Sequence, residues 1–322
     1  MNLQSVWVTS RRPPVRLDCI QIQHDTPDAP LLPPDFIHNS SDISCDGTKR
    51  SKEYKDVAKA RAEYNVLRGD KLSQHRHRKF VFGAIYENLF PGFLEIDPFM
   101  ADYDVVIKLA SGNESELKVR LVSPDDGHGN VNLLSAVVEL GRSLSGPGNA
   151  RGERVGDMGS MHAVGVKSVS SKEVYKTEEN TAAKAEIASK VMREWLEDNM
   201  RSELGTIICK DVELNVEPPP STAAGPGSRM MISVNLANSP HYDTGDSSIS
   251  IGIWVEDKPG QSENWYFVLP NVSCNGSRGV VVKLMHGVVI SWDGREIYHC
   301  TSKTKQGIAN RTYGCMWTSA TR

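Results

Sequence analysis

Several features are missing from this 322-residue sequence, and each absence removes a class of protein. No apolar run approaches the roughly 18 residues that a membrane-spanning helix needs. The first residues, MNLQSVWVTSRRPPV, lack the long apolar segment of a secretory signal peptide. We therefore expect an intracellular protein without membrane contact, nuclear if its source is a eukaryote.

Paired cysteines and phosphate-loop motifs are also missing. The six cysteines are scattered, and no two have the C-x-x-C spacing of a zinc finger or a thioredoxin-like motif. The glycine-rich stretch GPGNARG is not followed by GK[ST], so it does not predict a phosphate-binding loop. We expect the stretch SLSGPGNARGERVGDMGS (143–160) to be a surface loop, either an ordinary one or a mobile one over a substrate site.

Charge is unevenly distributed along the chain. The net charge is −3, but Lys and Arg far outnumber Asp and Glu over residues 49–79. A basic stretch in an otherwise acidic protein indicates either an anionic partner or a solvated helix face. No protein partner can be inferred from the sequence.

The pattern of polar and apolar residues divides the chain into an arm and one domain. Residues 1–48 are rich in Pro, Asp and Ser and predict an irregular arm, and residues 49–322 predict a single domain. Within that domain we expect helices, a hairpin and the Gly-rich loop over 49–170, a supporting helix and a linker over 171–228, and a strand-rich core over 229–322.

Helical and hairpin patterns precede the core. Helices are predicted over 50–68, about 73–88 and 178–200, and a hairpin joins 102–110 to 116–122. In the 178–200 helix Ile187, Val191 and Trp195 recur every four residues, which predicts packing against a sheet. The stretch PPPSTAAGPGS (218–228) predicts a linker loop.

From residue 229 the pattern changes to short strands. The segments are RMMISVNL, SSISIGIWVE, NWYFVLP, GVVVKLM, GVVISW, REIYH and RTYGCMW. Asp293–Gly294 predicts a two-residue hairpin between GVVISW and REIYH. So many short strands in succession predict a sandwich, a jelly roll or a barrel.

The segment SPHYDTGDSS places a histidine and an aspartate two residues apart at the head of a strand. On an extended segment the side chains of His241 and Asp243 leave the same face, so both can bind one ion. Two histidines are candidates for the third ligand. We favour His299, at the end of REIYH, and His286 is the alternative, although its place beside a glycine between two apolar runs is typical of a turn.

Two imidazoles and one carboxylate on one face of an ion leave positions open for O2 and a chelating co-substrate. This arrangement is typical of Fe(II) in oxygenases, whereas structural zinc is usually closed by four ligands. On the strand after His299, the guanidinium of Arg311 can bind a carboxylate through two hydrogen bonds.

The end of the chain resembles a known enzyme family. GVVISWDGREIYHCTS followed by NRTYGCMW is similar to the last strands of the Fe(II)/2-oxoglutarate dioxygenases. The resemblance covers roughly 229–318 and implies an α+β protein with a double-stranded β-helix (jelly-roll) core and supporting helices. It implies that His241, Asp243 and His299 bind Fe(II) and that Arg311 binds the far carboxylate of 2-oxoglutarate.

Within that superfamily, SPHYDTGD, NWYFVLPNV and KLMHGVVISWDGREIYHCTS are most similar to the TET/JBP-like nucleobase dioxygenases. The similarity is greatest to the algal 5-methylcytosine-modifying branch, which uses ascorbate. In that branch a second aspartate follows the iron-binding one, which implies that Asp246 contacts the co-substrate. The co-substrate, 2-oxoglutarate or ascorbate, stays open.

The resemblance implies an Fe(II)-dependent dioxygenase that uses O2 to modify the methyl group of a nucleobase, with 5-methylcytosine in DNA as the expected substrate. A base enzyme must hold phosphates and flip the base. The densest part of the basic stretch supplies the candidate phosphate contacts His75, Arg76, His77, Arg78 and Lys79. The aromatic residues Trp254, Trp265, Tyr266 and Trp292 either stack on the flipped base or pack in the core. The alternatives are the same chemistry on a protein side chain or small metabolite, and a non-catalytic jelly-roll binding module.

Overall fold

The structure is a computed structural model that describes most of the chain after residue 92. The described residues are 13–22, 90, 92–124, 128–144, 148, 158–238, 241–243, 246, 249–302, 305–306 and 310–320. The helices predicted over 50–68 and 73–88 lie outside these residues, and so does the basic stretch 49–79.

The described residues form helices and strands throughout, which confirms the α+β class. The helices are α1 (His128–Ser143), α2 (Glu179–Asn199), α3 (Arg201–Glu213) and α4 (Pro220–Ala223). The strands are β1 (Val15–Gln21), β2 (Leu94–Ile96), β3 (Tyr103–Lys108), β4 (Glu114–Leu121), β5 (Met158–Ser168), β6 (Glu173–Val174), β7 (Arg229–Ala237), β8 (Ser250–Glu256), β9 (Ser262–Glu263), β10 (Tyr266–Leu269), β11 (Val272–Ser273), β12 (Val280–Lys283), β13 (Val288–Trp292), β14 (Cys300–Thr301), β15 (Lys305–Gln306) and β16 (Thr312–Thr318).

Two sheets hold most of these strands. A ten-stranded sheet has the order β11-β1-β3-β4-β13-β8-β16-β7-β5-β6, and a four-stranded sheet has the order β14-β10-β12-β2. Strands β9 and β15 form a separate pair. Pairing is antiparallel except between β1 and β3 and between β12 and β2. The predicted hairpin of β3 and β4 is confirmed. The double-stranded β-helix topology stays a prediction.

Strand alternation divides the interior into two cores. On β8, Ile251 and Ile253 pack with residues of α1, α2 and α3, whereas Trp254 points to the opposite face and packs with Phe267 of the small sheet. Because successive side chains of a strand leave opposite faces, the large sheet supports helices on one side and the small sheet on the other. The near-continuous apolar sequence of β8 follows from this burial on both faces.

The helix predicted over 178–200 is confirmed as α2, and Ile187 is the one residue of its predicted apolar stripe that is exposed. Ile187 is 56% exposed, whereas Ala188, Met192 and Trp195 are buried. Steps of four residues drift around a helix that turns every 3.6 residues, so Ile187 leaves the face that Trp195 occupies.

Four segments differ from their predicted structure. Within 1–48, Val15–Gln21 is a strand of the large sheet. Strand β5 begins within the last three residues of the loop predicted over 143–160, most of which lies outside the described residues, and helix α1 precedes that loop. The linker 218–228 contains the short helix α4.

The fourth difference concerns REIYH, which is a turn. Asp293 O accepts the N–H groups of Glu296 and Ile297, and Asp293 Oδ1 accepts the N–H of Arg295 at 3.0 Å. Asp293–Gly294 therefore opens a crossing from β13 in the large sheet to β14 in the small one, not a hairpin. Within the described residues, no helix combines the length and apolar character that crossing a membrane takes.

Candidate metal centre

A pair of backbone hydrogen bonds brings the two candidate histidines together. His241 N–H donates to His299 O at 2.9 Å, and His299 N–H donates to His241 O at 3.1 Å. Residues opposed in this way on antiparallel segments project their side chains from the same face. The two imidazole centroids consequently lie 4.7 Å apart.

Asp243 completes a cluster of three possible ligands. Its Oδ1 lies 3.2 Å from His241 Nε2, and its Oδ2 lies 3.1 Å from His299 Nε2. One ligand atom from each of the three residues lies within 4.8 Å of the others. Each carboxylate oxygen therefore faces a different imidazole.

The His299 ring is fixed by a hydrogen bond on its other nitrogen. His299 Nδ1 lies 2.9 Å from the carbonyl oxygen of Ile297. A carbonyl only accepts, so Nδ1 carries the proton and Nε2 offers its lone pair in the neutral ring. Burial by itself would lower the pKa of His299, but the charge of Asp243 and hydrogen bonds to Asp243 and Ile297 raise it above its ordinary value.

Asp243 is ionised in this setting. Burial acts to raise the pKa of its carboxyl, but the charge of His299 and hydrogen bonds from both histidines lower it well below its usual range. Asp243 N–H donates to Gly294 O at 2.7 Å. A Cβ at Gly294 would lie 2.6 Å from Asp243 Oδ2, so glycine is the residue that leaves room for the carboxylate.

Aromatic side chains form the wall behind His299. The Phe267 ring stacks on the imidazole with centroids 5.2 Å apart, and the Trp292 ring meets it edge-on at 5.4 Å. Trp254 and Trp265 are also buried in the core between the sheets, so these tryptophans pack in the core. Tyr266 hydrogen-bonds to Glu95 with its phenol.

Asp246 lies beside the cluster in a buried polar network. Its N–H donates to Asp243 O at 3.0 Å, and its carboxylate accepts a hydrogen bond from Ser250 Oγ at 2.9 Å. Arg229 Nη1 lies 3.7 Å from Asp246 Oδ1, with both side chains at most 10% exposed. Burial and the charge of Asp243 raise the pKa of Asp246 to about 7.

Arg229 is a residue that sequence reasoning missed. It begins an apolar strand, and its guanidinium donates to the carbonyl oxygens of Val166 and Lys167 on β5. Nothing in RMMISVNL distinguishes this arginine from a surface one, because its partners come from a distant segment.

The other predicted ligands lie elsewhere. His286 is a turn residue whose Nδ1 accepts the N–H of Glu256 at 3.1 Å. The structure therefore brings His299, and not His286, to His241 and Asp243. Arg311 is exposed and lies beside Tyr313, whose ring belongs to the core on the helix side of the large sheet. Its carboxylate-binding role stays a prediction. The candidate phosphate contacts His75, Arg76, His77, Arg78 and Lys79 lie outside the described residues.

Comparison with known proteins gives distant structural likenesses. No protein-family model and no curated protein matches the chain. Among solved structures, "NgTET1 in complex with 5mC DNA" is similar at 12% identity and a TM-score of 0.43, over 67% of this chain and 76% of that one. "JOX2 in complex with 2OG, Fe, and JA" is similar at 10% identity and a TM-score of 0.29, over 71% and 75%. At such low TM-scores neither likeness supports a substrate or a role for any residue.

Proposed function

We propose that the protein is an Fe(II)-dependent dioxygenase whose iron is held by His241, Asp243 and His299. The observation that carries this proposal is the cluster itself, with two imidazole nitrogens and a carboxylate oxygen within 4.8 Å of one another. Two histidines and one carboxylate are the donor set typical of non-haem Fe(II) oxygenases. When bound there, Fe(II) would supply the activation of O2 together with an organic co-substrate.

The donor chemistry fits a divalent ion. Asp243 is held as a carboxylate, and the Nδ1–H of His299 is committed to Ile297 O, so Nε2 is the nitrogen that would bind the metal after losing the proton that the raised pKa of His299 favours. A metal ligand must be deprotonated, and an orienting hydrogen bond on the second imidazole nitrogen is the usual companion of a bound histidine. In the described residues no cysteine joins the cluster, which disfavours a structural zinc site.

The surrounding residues hold the ligands and exclude water on one side. Phe267 and Trp292 flank His299 and restrict rotation of its ring. Gly294 O anchors the backbone of Asp243. These contacts preorganise three donors that come from two separate segments of the chain.

We propose the methyl group of a nucleobase, 5-methylcytosine in DNA, as the substrate. The support is the similarity of SPHYDTGD and its companion segments to the TET/JBP-like enzymes, together with the basic stretch 49–79. Arg311 and Asp246 are the proposed co-substrate contacts. For Arg311 this role requires the guanidinium to reach the cluster from beside Tyr313, and for Asp246 it requires the buried carboxylate, which accepts from Ser250 and lies 3.7 Å from Arg229, to turn toward the co-substrate.

One assay tests the reaction and the co-substrate together. Full-length protein is loaded with Fe(II) under anaerobic conditions and then aerated with DNA that carries 5-methylcytosine. Four lanes contain 2-oxoglutarate, ascorbate, both or neither, and the digested nucleosides are analysed by mass spectrometry. Asp243→Ala is the inactive variant, and Asp198→Ala, an exposed residue of α2, is the matched control.

The proposal predicts a new nucleoside with the wild type and Asp198→Ala that disappears with Asp243→Ala. The lane that contains it identifies the co-substrate. Unchanged 5-methylcytosine in every lane, from protein that binds iron, would refute the nucleobase assignment and direct the search to protein and metabolite substrates. Failure to bind iron at all would refute the dioxygenase itself and favour the binding-module alternative.

DNA binding is tested separately from chemistry. If the basic stretch contacts phosphates, log Kd should depend steeply on log salt, and replacing Arg76, Arg78 and Lys79 by Ala should reduce that slope by about one unit per lost contact. An unchanged slope would show that this stretch does not contact the DNA phosphates.

A further inference from the structure

Two buried cysteines lie directly opposite each other at the edge of the large sheet. Strand β1 pairs antiparallel with the edge strand β11, with Ile20 opposite Ser273 and Gln21 opposite Val272. Extending the same register by one step places Cys19 opposite Cys274, which follows β11 and begins a turn closed by the Ser277 N–H to Cys274 O hydrogen bond. This pair lies far from the proposed metal ligands in sequence and takes no part in binding the metal.

The hydrogen-bond pattern identifies the type of this cross-strand pair. Ile22 N–H donates to Asn271 O at 2.7 Å, which makes residues 22 and 271 a hydrogen-bonded pair. Hydrogen-bonded and non-hydrogen-bonded pairs alternate along an antiparallel ladder, so Cys19 and Cys274 form a non-hydrogen-bonded pair. Such pairs have Cα atoms about 4.5 Å apart, within the roughly 4.4–6.8 Å that a disulfide spans.

The two thiols share one buried environment. Both are free, and the Cys274 thiol donates a hydrogen bond at 3.6 Å to the carbonyl oxygen of Asp18, the residue before Cys19. They are 4% and 3% exposed, and both belong to the core between the two sheets. Facing positions and a shared core are the arrangement that a cross-strand disulfide needs.

We propose that Cys19 and Cys274 are a reversible disulfide site that joins β1 covalently to β11. The oxidant is a small disulfide such as oxidised glutathione. The thiolate of one cysteine attacks it and releases one glutathione thiolate, and the second cysteine attacks the mixed disulfide and releases the other. Two protein thiols are oxidised to one disulfide, one oxidised glutathione is reduced to two thiols, and the two protons pass to the departing thiolates.

Oxidation depends on transient opening of the sheet edge. Burial and the neighbouring Cys274 raise the pKa of the Cys19 thiol to about 12, so little thiolate is present while the strands are paired. Strand β11 has only two residues and pairs on one side with β1 alone, so it separates more easily than the central strands. Mild denaturant should therefore accelerate the oxidation.

The disulfide would stabilise a strand that supports the ligand-bearing segments. Gln21 Nε2 donates to Glu296 O at 3.0 Å, in the turn just before His299. Asn271, whose carbonyl oxygen accepts the Ile22 amide, lies beside Tyr242, the residue between His241 and Asp243. Fixing β1 to β11 would hold both contacts in place.

Peptide mapping of the full chain tests the linkage directly. Reduced protein is treated with oxidised glutathione and digested, without reductant, with an endoproteinase that cuts before aspartate. This digest separates Cys19, in residues 18–24, from Cys45, in 42–45, and leaves Cys274 in 257–292. We expect a linked peptide of 18–24 with 257–292 and the loss of two of the six thiols, both reversed by dithiothreitol.

Stability provides a second measurement. Oxidised wild type should melt roughly 5 °C or more above the reduced protein, because the bond closes a very long loop. Cys274→Ser should show no such gain, whereas Cys209→Ser, which removes an exposed thiol, should keep it. Six thiols remaining after oxidation, or a linked peptide that pairs Cys19 with a different cysteine, would overturn the proposal.

Discussion

His299 Nε2 lies 3.1 Å from Asp243 Oδ2, so a residue that ends the crossing between the two sheets meets one that follows strand β7. Neither segment has a cluster of ligands by itself. The proposed metal site is therefore a product of tertiary structure, and changes in either segment should be measurable as changes in metal affinity.

Removal of the carboxylate should remove the metal. Asp243→Ala leaves two neutral imidazoles without the charge that pairs with the ion, and we expect the affinity for Fe(II) to fall at least 100-fold. Anaerobic calorimetric titration measures this, with Asp198→Ala as the control of equal size on the helix surface. Equal affinity in the two variants would place the metal elsewhere.

A single added methyl group at Gly294 should also weaken the site. The new Cβ would lie 2.6 Å from Asp243 Oδ2 and 2.8 Å from its Cβ, so the carboxylate must move. We expect Gly294→Ala to lower metal affinity about 10-fold or more while the protein stays folded. Gly205→Ala, where a Cβ has open space, is the matched control and should bind metal as the wild type does.

Glu256 should stabilise the loop that follows β8. It is 1% exposed, and its carboxylate accepts the N–H groups of Gly260, Gln261 and Ser262 at 2.8, 3.1 and 2.6 Å. Glu256→Gln replaces one acceptor oxygen by a donor, and we expect a loss of about 1–3 kcal/mol in the free energy of unfolding.

Urea unfolding checks this expectation. Glu263→Gln, the same change at an exposed residue of β9, should leave the unfolding midpoint unchanged. Similar losses in both variants would show that the buried carboxylate has no special role.

His286 should make the protein less stable as the solution is acidified. Burial lowers the pKa of its imidazole from 6.5, and its Nδ1 accepts the Glu256 amide, so the ring is neutral in the folded state. Below pH 6.5 the unfolded chain therefore binds more protons than the folded one. The stability that the neutral His286 ring contributes is complete above pH 6.5 and is lost as the pH falls toward the lowered pKa. Unfolding midpoints measured at neutral and mildly acidic pH should fall further for wild type than for His286→Gln, and parallel falls would contradict the assignment.

The sequence predicted the meeting of His241, Asp243 and His299 better than the elements around them. His241 and Asp243 were recognisable because the two-residue period of extended chain is local. The role of REIYH was misjudged because the Asp293 carboxylate binds the Arg295 amide and favours a turn over the strand that the pattern suggested.

Helix α1 was missed for a different reason. No element was predicted over its residues, and Gly141 lies against the Tyr313 ring, where a Cβ would collide with the ring atoms. The glycine permits close packing of helix on sheet, and its partner on β16 is not apparent from the local sequence. The ion pair of Arg229 with Asp246 could not be predicted for the same reason, because the partner of each residue is not apparent from its local sequence.

The crossing from β13 to β14 has a consequence for assembly of the molecule. His241 and Asp243 follow a strand of the large sheet, whereas His299 directly precedes the first residue of a strand in the small sheet. An ion bound by all three would tie the two layers together, and it can bind with full affinity only after the layers have closed. Metal would then bind only at the last stage of folding. A chelator would weaken the contact between the two sheets before it affects either sheet.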